Sequence, residues 1–211
     1  MSKMPDFPPE VLDLLKPTPE NWNERKDKNA MVGMIYVDPM KGPYIVYVSR
    51  LEWFSLAPRY EENPGDATKL TLPVTNVRVY CTGGPSCYDN TECIERVQKI
   101  QEYDMNVRNL PDIAPNFLIG SEGIVYEGRG WTKEATRSNV DFPEFKGNCL
   151  DIAYIGDYKN TGKRPRWAIV RALINMILYG IKNEHVHPLF KLFNYNTKYE
   201  YLKGVPEISN E

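Results

Sequence analysis

Few side chains in this sequence could do nucleophilic, acid–base or metal chemistry near neutral pH. It contains two histidines, His185 and His187, and four cysteines, Cys81, Cys87, Cys93 and Cys149. Two histidines are too few for a histidine-rich metal site. If His185-Val186-His187 is extended, its two imidazoles share one face and could hold a metal. The plainer reading of that tripeptide is an ordinary surface loop. Cys81 could be proposed as a nucleophile, but a thiol nucleophile needs a base in reach. Both histidines fall after a long predicted helix, and neither is assigned near Cys81.

The elements that must position these residues follow from hydrophobic periodicity. Residues 74–80 read as a strand, and 89–105 as an amphipathic helix with Ile94, Val97, Gln101 and Met105 on one face. Two short strands at 116–119 and 124–127 close a hairpin across Gly120-Ser121-Glu122-Gly123. Residues 150–155 form a buried-looking strand ended by Gly156. Residues 165–184 give the longest helical pattern, with Trp167, Val170, Leu173, Ile174 and Ile177 inward and Pro165 suited to the first turn. Upstream, 34–37 and 44–48 are β-branched and aromatic around an Asp-Pro-Met-Lys-Gly-Pro turn. They predict a hairpin whose arms could also pair with another strand. Alternation of strands and helices predicts an α/β fold with a central mixed β-sheet flanked by helices.

With 211 residues and 42% hydrophobic content, the chain can bury one substantial core. A net charge of −2 gives no footprint for nucleic acid or an anionic membrane surface. No stretch approaches the roughly 18 apolar residues of a membrane span. Residues 1–9 are polar and proline-rich where a signal peptide would carry an apolar run, so the sequence as written reads as soluble. The expected organisation is an extended arm over 1–30, a hairpin segment over 31–48, one domain over 49–203 and a tail over 204–211.

The block Asp112-Ile113-Ala114-Pro115-Asn116-Phe117-Leu118-Ile119-Gly120, followed by Gly123-Ile124-Val125-Tyr126-Glu127-Gly128-Arg129-Gly130-Trp131, closely resembles the core signature of peptidoglycan recognition proteins. Arg50-Leu51-Glu52-Trp53, the Cys87 and Cys93 spacing, Ile100-Gln101 and Ile155-Gly156 agree with it. The resemblance implies a mixed sheet with about three flanking helices, related to zinc amidases of the phage lysozyme type. It implies a disulfide between Cys87 and Cys93, against the alternative of two free buried thiols. Cys81 and Cys149 read as small core residues, with a second bridge as the alternative. The missing signal peptide points to the cytoplasm and the cysteine pair to an oxidising compartment, so the sequence leaves localisation open. The tail at 204–211 ends about where the family's last helix would begin.

A catalytic zinc needs three protein ligands and a position left for water. In the family's amidases the first histidine ends the strand before the cysteine loop, where this sequence has Tyr80 followed by Cys81. The second histidine position falls at Tyr195 and the cysteine position at Lys203, while the catalytic tyrosine position falls at Pro115. These replacements imply a non-enzymatic member with no metal and no cofactor. The ligand-choosing positions correspond to Asn109, Leu110 and Arg129, with Trp131, Thr136 and Arg137 along the groove. A guanidinium at 129 suits a carboxylate, and a structural ion pair is the equal alternative. The segment from Ser138 to Asn148 is longer than usual, and Phe142, Pro143 and Phe145 could fill the groove or be solvated. The expected function is peptidoglycan sensing or its modulation in innate immunity. The expected partners are a muropeptide and another family receptor, as homo- or heterodimer. An amidase with an unusual site and an assembly subunit on the same fold are the alternatives.

Overall fold

The computed structural model describes residues 45–59, 69–135, 145–158 and 165–194. Its strands are β1 (Val46–Val48), β2 (Val74–Cys81), β3 (Phe117–Ile119), β4 (Ile124–Glu127), β5 (Cys149–Tyr154) and β6 (Val186–Asn194). They form one sheet in the order β1-β4-β3-β5-β2-β6. Only β3 and β4 run antiparallel, joined by the predicted tight turn; the other neighbours are parallel. A parallel strand at the centre of such a sheet is covered on both faces. Accordingly β5 is buried at every position and β2 at most of them.

The two described helices cover opposite faces. α1 (Asn90–Asn106) starts where Asp89 caps it: its carboxylate accepts from the Glu92 N–H at 2.9 Å, and the Glu92 carboxylate accepts from the Tyr88 N–H at 2.8 Å. Such reciprocal bonds satisfy donors left open at a helix start. Cys93, Val97, Gln101, Asp104 and Met105 of α1 are buried, while Ile94 is only half-buried. This side holds the cluster of Trp53, Tyr80, Leu118, Tyr126, Ala153 and Ile155, with the disulfide of Cys87 and Cys93 closing its edge.

α2 (Trp167–Lys182) buries Ile169, Leu173, Ile174, Met176 and Ile177 on its own side of the sheet, against Val77, Val79, Phe117 and Ile152. Each fully buried aliphatic side chain there contributes about 1.5–3 kcal/mol. Trp167 and Val170, expected inward, are only half-buried. Pro165 precedes Arg166 at the N-cap, so it lies just outside the first turn.

Other expectations fare differently. Val46–Val48 adds to the sheet by pairing in parallel with β4, and the other predicted hairpin arm, 34–37, lies outside the described residues. The third implied helix does not fall among the described residues. His187 lies in strand β6, where a loop was expected. Pro188 had hidden that strand, because proline cannot donate to a ladder. It is tolerated because β6 is an edge strand whose register against β2 shifts between Val74 and Asn76. Cys81 and Cys149 are free. They lie opposite Tyr154 and Asn76 respectively on the paired strands β2 and β5. Five residues of strand separate them, roughly 16 Å, too far for a second bridge.

Candidate functional site

A cleft lies between the end of β2 and one flank of α1. Side-chain directions alternate along a strand, and Tyr80 and Thr82 both line this cleft. Gly83, Gly84 and Pro115 also line it, and Arg96, Lys99, Ile100, Tyr103 and Asp104 border it from the helix. The cleft encloses about 500 Å³ of space, solvent included.

A polar frame fixes the walls. Asn116 is fully buried in the turn before β3. Its Nδ2 donates to the Gly130 and Lys133 carbonyls at 2.7 Å each, and its Oδ1 accepts from the Asp151 N–H at 2.9 Å. The Arg129 N–H donates to the Pro115 carbonyl at 3.0 Å. A Cβ on Gly128 would run into that same carbonyl oxygen, and Gly130 has a φ of 70°. Both glycines of Gly128-Arg129-Gly130 are therefore backbone requirements, Gly128 for the close approach to Pro115 and Gly130 for its left-handed φ. Asp112, also fully buried, accepts from Gln101 Nε2 at 2.8 Å and from Arg50 Nη2 at 3.0 Å, tying the loop at 50–56 to α1. Trp53 Nε1 donates to the Glu127 carbonyl at 2.8 Å.

Behind Tyr80 lies a buried ion pair. Arg78 Nε donates to Asp151 Oδ1 at 2.9 Å and its Nη2 donates to Oδ2; the guanidinium stands 5.5 Å from the Tyr80 ring centroid. Burial works against the Arg78 charge, but the Asp151 carboxylate outweighs it and holds the guanidinium above its ordinary pKa. Burial pushes the neighbouring Cys149 thiol well up, so it stays protonated. Phe145 packs on Phe193 with centroids 4.8 Å apart, so the last part of the long segment lies against the sheet.

Three comparisons bear on this arrangement. Peptidoglycan recognition protein 1 of Rattus norvegicus is 33% identical over 135 residues, covering 64% of this chain and 67% of that protein. The chain belongs to the peptidoglycan recognition protein family. Peptidoglycan-recognition protein LC of Drosophila melanogaster is 32% identical over 159 residues, 74% of this chain. The chain spans only 29% of that protein and 44% of human peptidoglycan recognition protein 4. The ectodomain of the Drosophila transmembrane receptor PGRP-LCa matches with a TM-score of 0.63 at 29% identity, over 69% of this chain and 82% of that one. Human PGRP-IBETAC, solved in complex with glycosamyl muramyl pentapeptide, matches with a TM-score of 0.61 at 26% identity, over 71% and 83%. No protein-family model matches the chain.

In the frame of peptidoglycan recognition proteins, the structure brings together two of the predicted positions and separates others. Tyr80 and Pro115 line one cleft. The residue that ends β2, however, is Cys81; strand alternation directs it to the other face of the sheet. Tyr195 and Lys203, with Thr136 and Arg137, lie outside the described residues. Among the described residues no three His, Cys, Asp or Glu side chains are grouped to hold a metal.

Trp131 is on the α2 side, 4.6 Å from Phe117 and stacked on His185 at 4.9 Å. Asn109 forms the turn after α1 with a φ of 53°, and Leu110 donates its N–H to the Asp104 carbonyl. Arg129 is buried, and its Nε donates to the Glu134 carbonyl. Sequence reasoning missed Arg96, Lys99 and Tyr103 in the cleft wall. Their spacing of three and four residues puts them on one helix flank, but periodicity does not say which flank borders a cavity.

Proposed function

We propose that this chain is a non-enzymatic peptidoglycan-recognition protein of innate immunity, which senses or modulates peptidoglycan signals by weak muropeptide binding or by protein contacts. The observation that carries the reading is the cleft itself. The positions that the resemblance equates with a zinc ligand and the catalytic tyrosine, Tyr80 and Pro115, form its walls. Proline offers no side-chain donor, and a tyrosine in this setting is a poor zinc ligand. The human relative solved with a muramyl pentapeptide supports this ligand class for the same fold. Protein contacts are supported by Leu51, Phe54 and Leu56, whose side chains are exposed on the loop after β1. A family receptor is the proposed partner.

The test combines metal analysis, stem-peptide release and titration with purified muropeptides. Weak binding without zinc or hydrolysis is expected. Stoichiometric zinc with stem-peptide release would establish an amidase instead. Neither binding nor hydrolysis, together with capture of a family receptor, would leave protein contact as the whole activity.

A further inference from the structure

The cleft has an electrostatic asymmetry that the family positions do not account for. Arg96 is half-buried and Lys99 lies three residues on along α1, so both cations border the same opening. Glu92 and Glu95 stand four residues before them, yet neither cation has a carboxylate within ion-pair distance among the described residues. Arg50, Arg78 and Arg108 behave differently: each meets a carboxylate, of Asp112, Asp151 and Asp104 respectively.

Burial lowers the Arg96 pKa, with the Glu95 charge opposing. A guanidinium nevertheless keeps its charge at neutral pH, so partial desolvation without a counter-ion is a cost that an anion would offset. The acid in the wall, Asp104, is already engaged: Arg108 Nη1 donates to its Oδ1, and the Ala114 N–H donates to its Oδ2 at 2.8 Å. The cleft therefore presents a cationic rim beside the apolar surfaces of Ile100, Tyr80 and Pro115. Arg129, where the resemblance places carboxylate choice, is buried away from it and does not line it.

We propose that Arg96 and Lys99 are the carboxylate-binding residues of this cleft, so that a peptide ligand enters with a free carboxylate against α1 and its apolar part over Pro115. The inference rests on the muropeptide reading for the identity of the ligand. It does not rest on that reading for the existence of an anion site.

The test has two arms, run on wild type, R96Q/K99Q and R171Q, the last removing an exposed cation of α2. Glutamine retains helix propensity, and a thermal melt confirms the fold of each variant. In the first arm, N-acetyl-D-alanine is titrated while the backbone amides of α1 and the Ile100 methyl groups, present in every variant, are followed by NMR. In the second, a muramyl tetrapeptide and its carboxamide form are compared by calorimetry. Saturable shifts in wild type and R171Q, absent in R96Q/K99Q, are expected. So is a loss of about tenfold or more in muropeptide affinity on amidation or in R96Q/K99Q, as for a lost charged hydrogen bond.

If the small acid binds and neither muropeptide does, the anion site stands and the muropeptide reading fails. If the muropeptide binds with the same affinity in R96Q/K99Q and after amidation, the muropeptide reading stands and the carboxylate site is overturned. Binding of neither probe overturns both.

Discussion

Replacing Asp151 with asparagine should unfold this protein far more easily than a one-atom change suggests. The Arg78 and Asp151 side chains are 5% and 0% exposed, and they face each other across parallel strands β2 and β5. Asparagine can still accept one hydrogen bond, but it cannot balance the guanidinium, which does not shed its proton. Removing one partner of a buried pair costs about 3–5 kcal/mol. For a chain of this size that is a fall of roughly 6–20 °C in Tm.

The perturbation also reaches the cleft, because Arg78 stands over the Tyr80 ring. Urea unfolding followed by tryptophan fluorescence would measure D151N, R78M and the double variant R78M/D151L. The double variant should recover most of the loss, since paired apolar side chains of similar volume are often neutral or better. A D151N cost below about 1 kcal/mol would place the pair in the range of exposed salt bridges. The argument from burial would then be wrong.

Two further outcomes follow from the geometry. Gly128→Ala puts a Cβ against the Pro115 carbonyl and should cost about 1–3 kcal/mol by overpacking. Crystallography of the variant should show Pro115 displaced from the cleft; an unmoved Pro115 with unchanged stability would refute this. His185 is stacked on Trp131, and burial lowers its pKa. A depressed histidine contributes stability that is complete above its unfolded pKa, near 6.5, and lost as pH falls below it. Tm should therefore decline less between pH 7 and pH 5 in His185→Phe than in wild type. Parallel curves would count against it.

How much of this was legible in the sequence differs by element. The β3–β4 hairpin and both helices were readable, because each is fixed by contacts close in the chain: a four-residue turn, an N-cap, an apolar stripe. The pairing of Cys87 with Cys93 came from family resemblance. Strand β6 escaped notice because its proline argues locally against a strand, and only the edge position with its shifted register makes that proline acceptable. Trp131 illustrates the same limit. Its motif was plain, but the side of the sheet it occupies is set by packing against Phe117 and Tyr179.

By itself, then, the sequence determined the family, the mixed α/β sheet and the local elements, since these depend on ordered motifs and on periodicities of two and 3.6 residues. Tertiary structure alone decided which of the motif residues meet. It brought Tyr80 and Pro115 together with Arg96 and Lys99 from α1, and it folded Arg129 and Trp131 away from them. The physical reason is that a cleft is made by the face one element leaves uncovered after packing on another, and burial of that kind has no period in the chain.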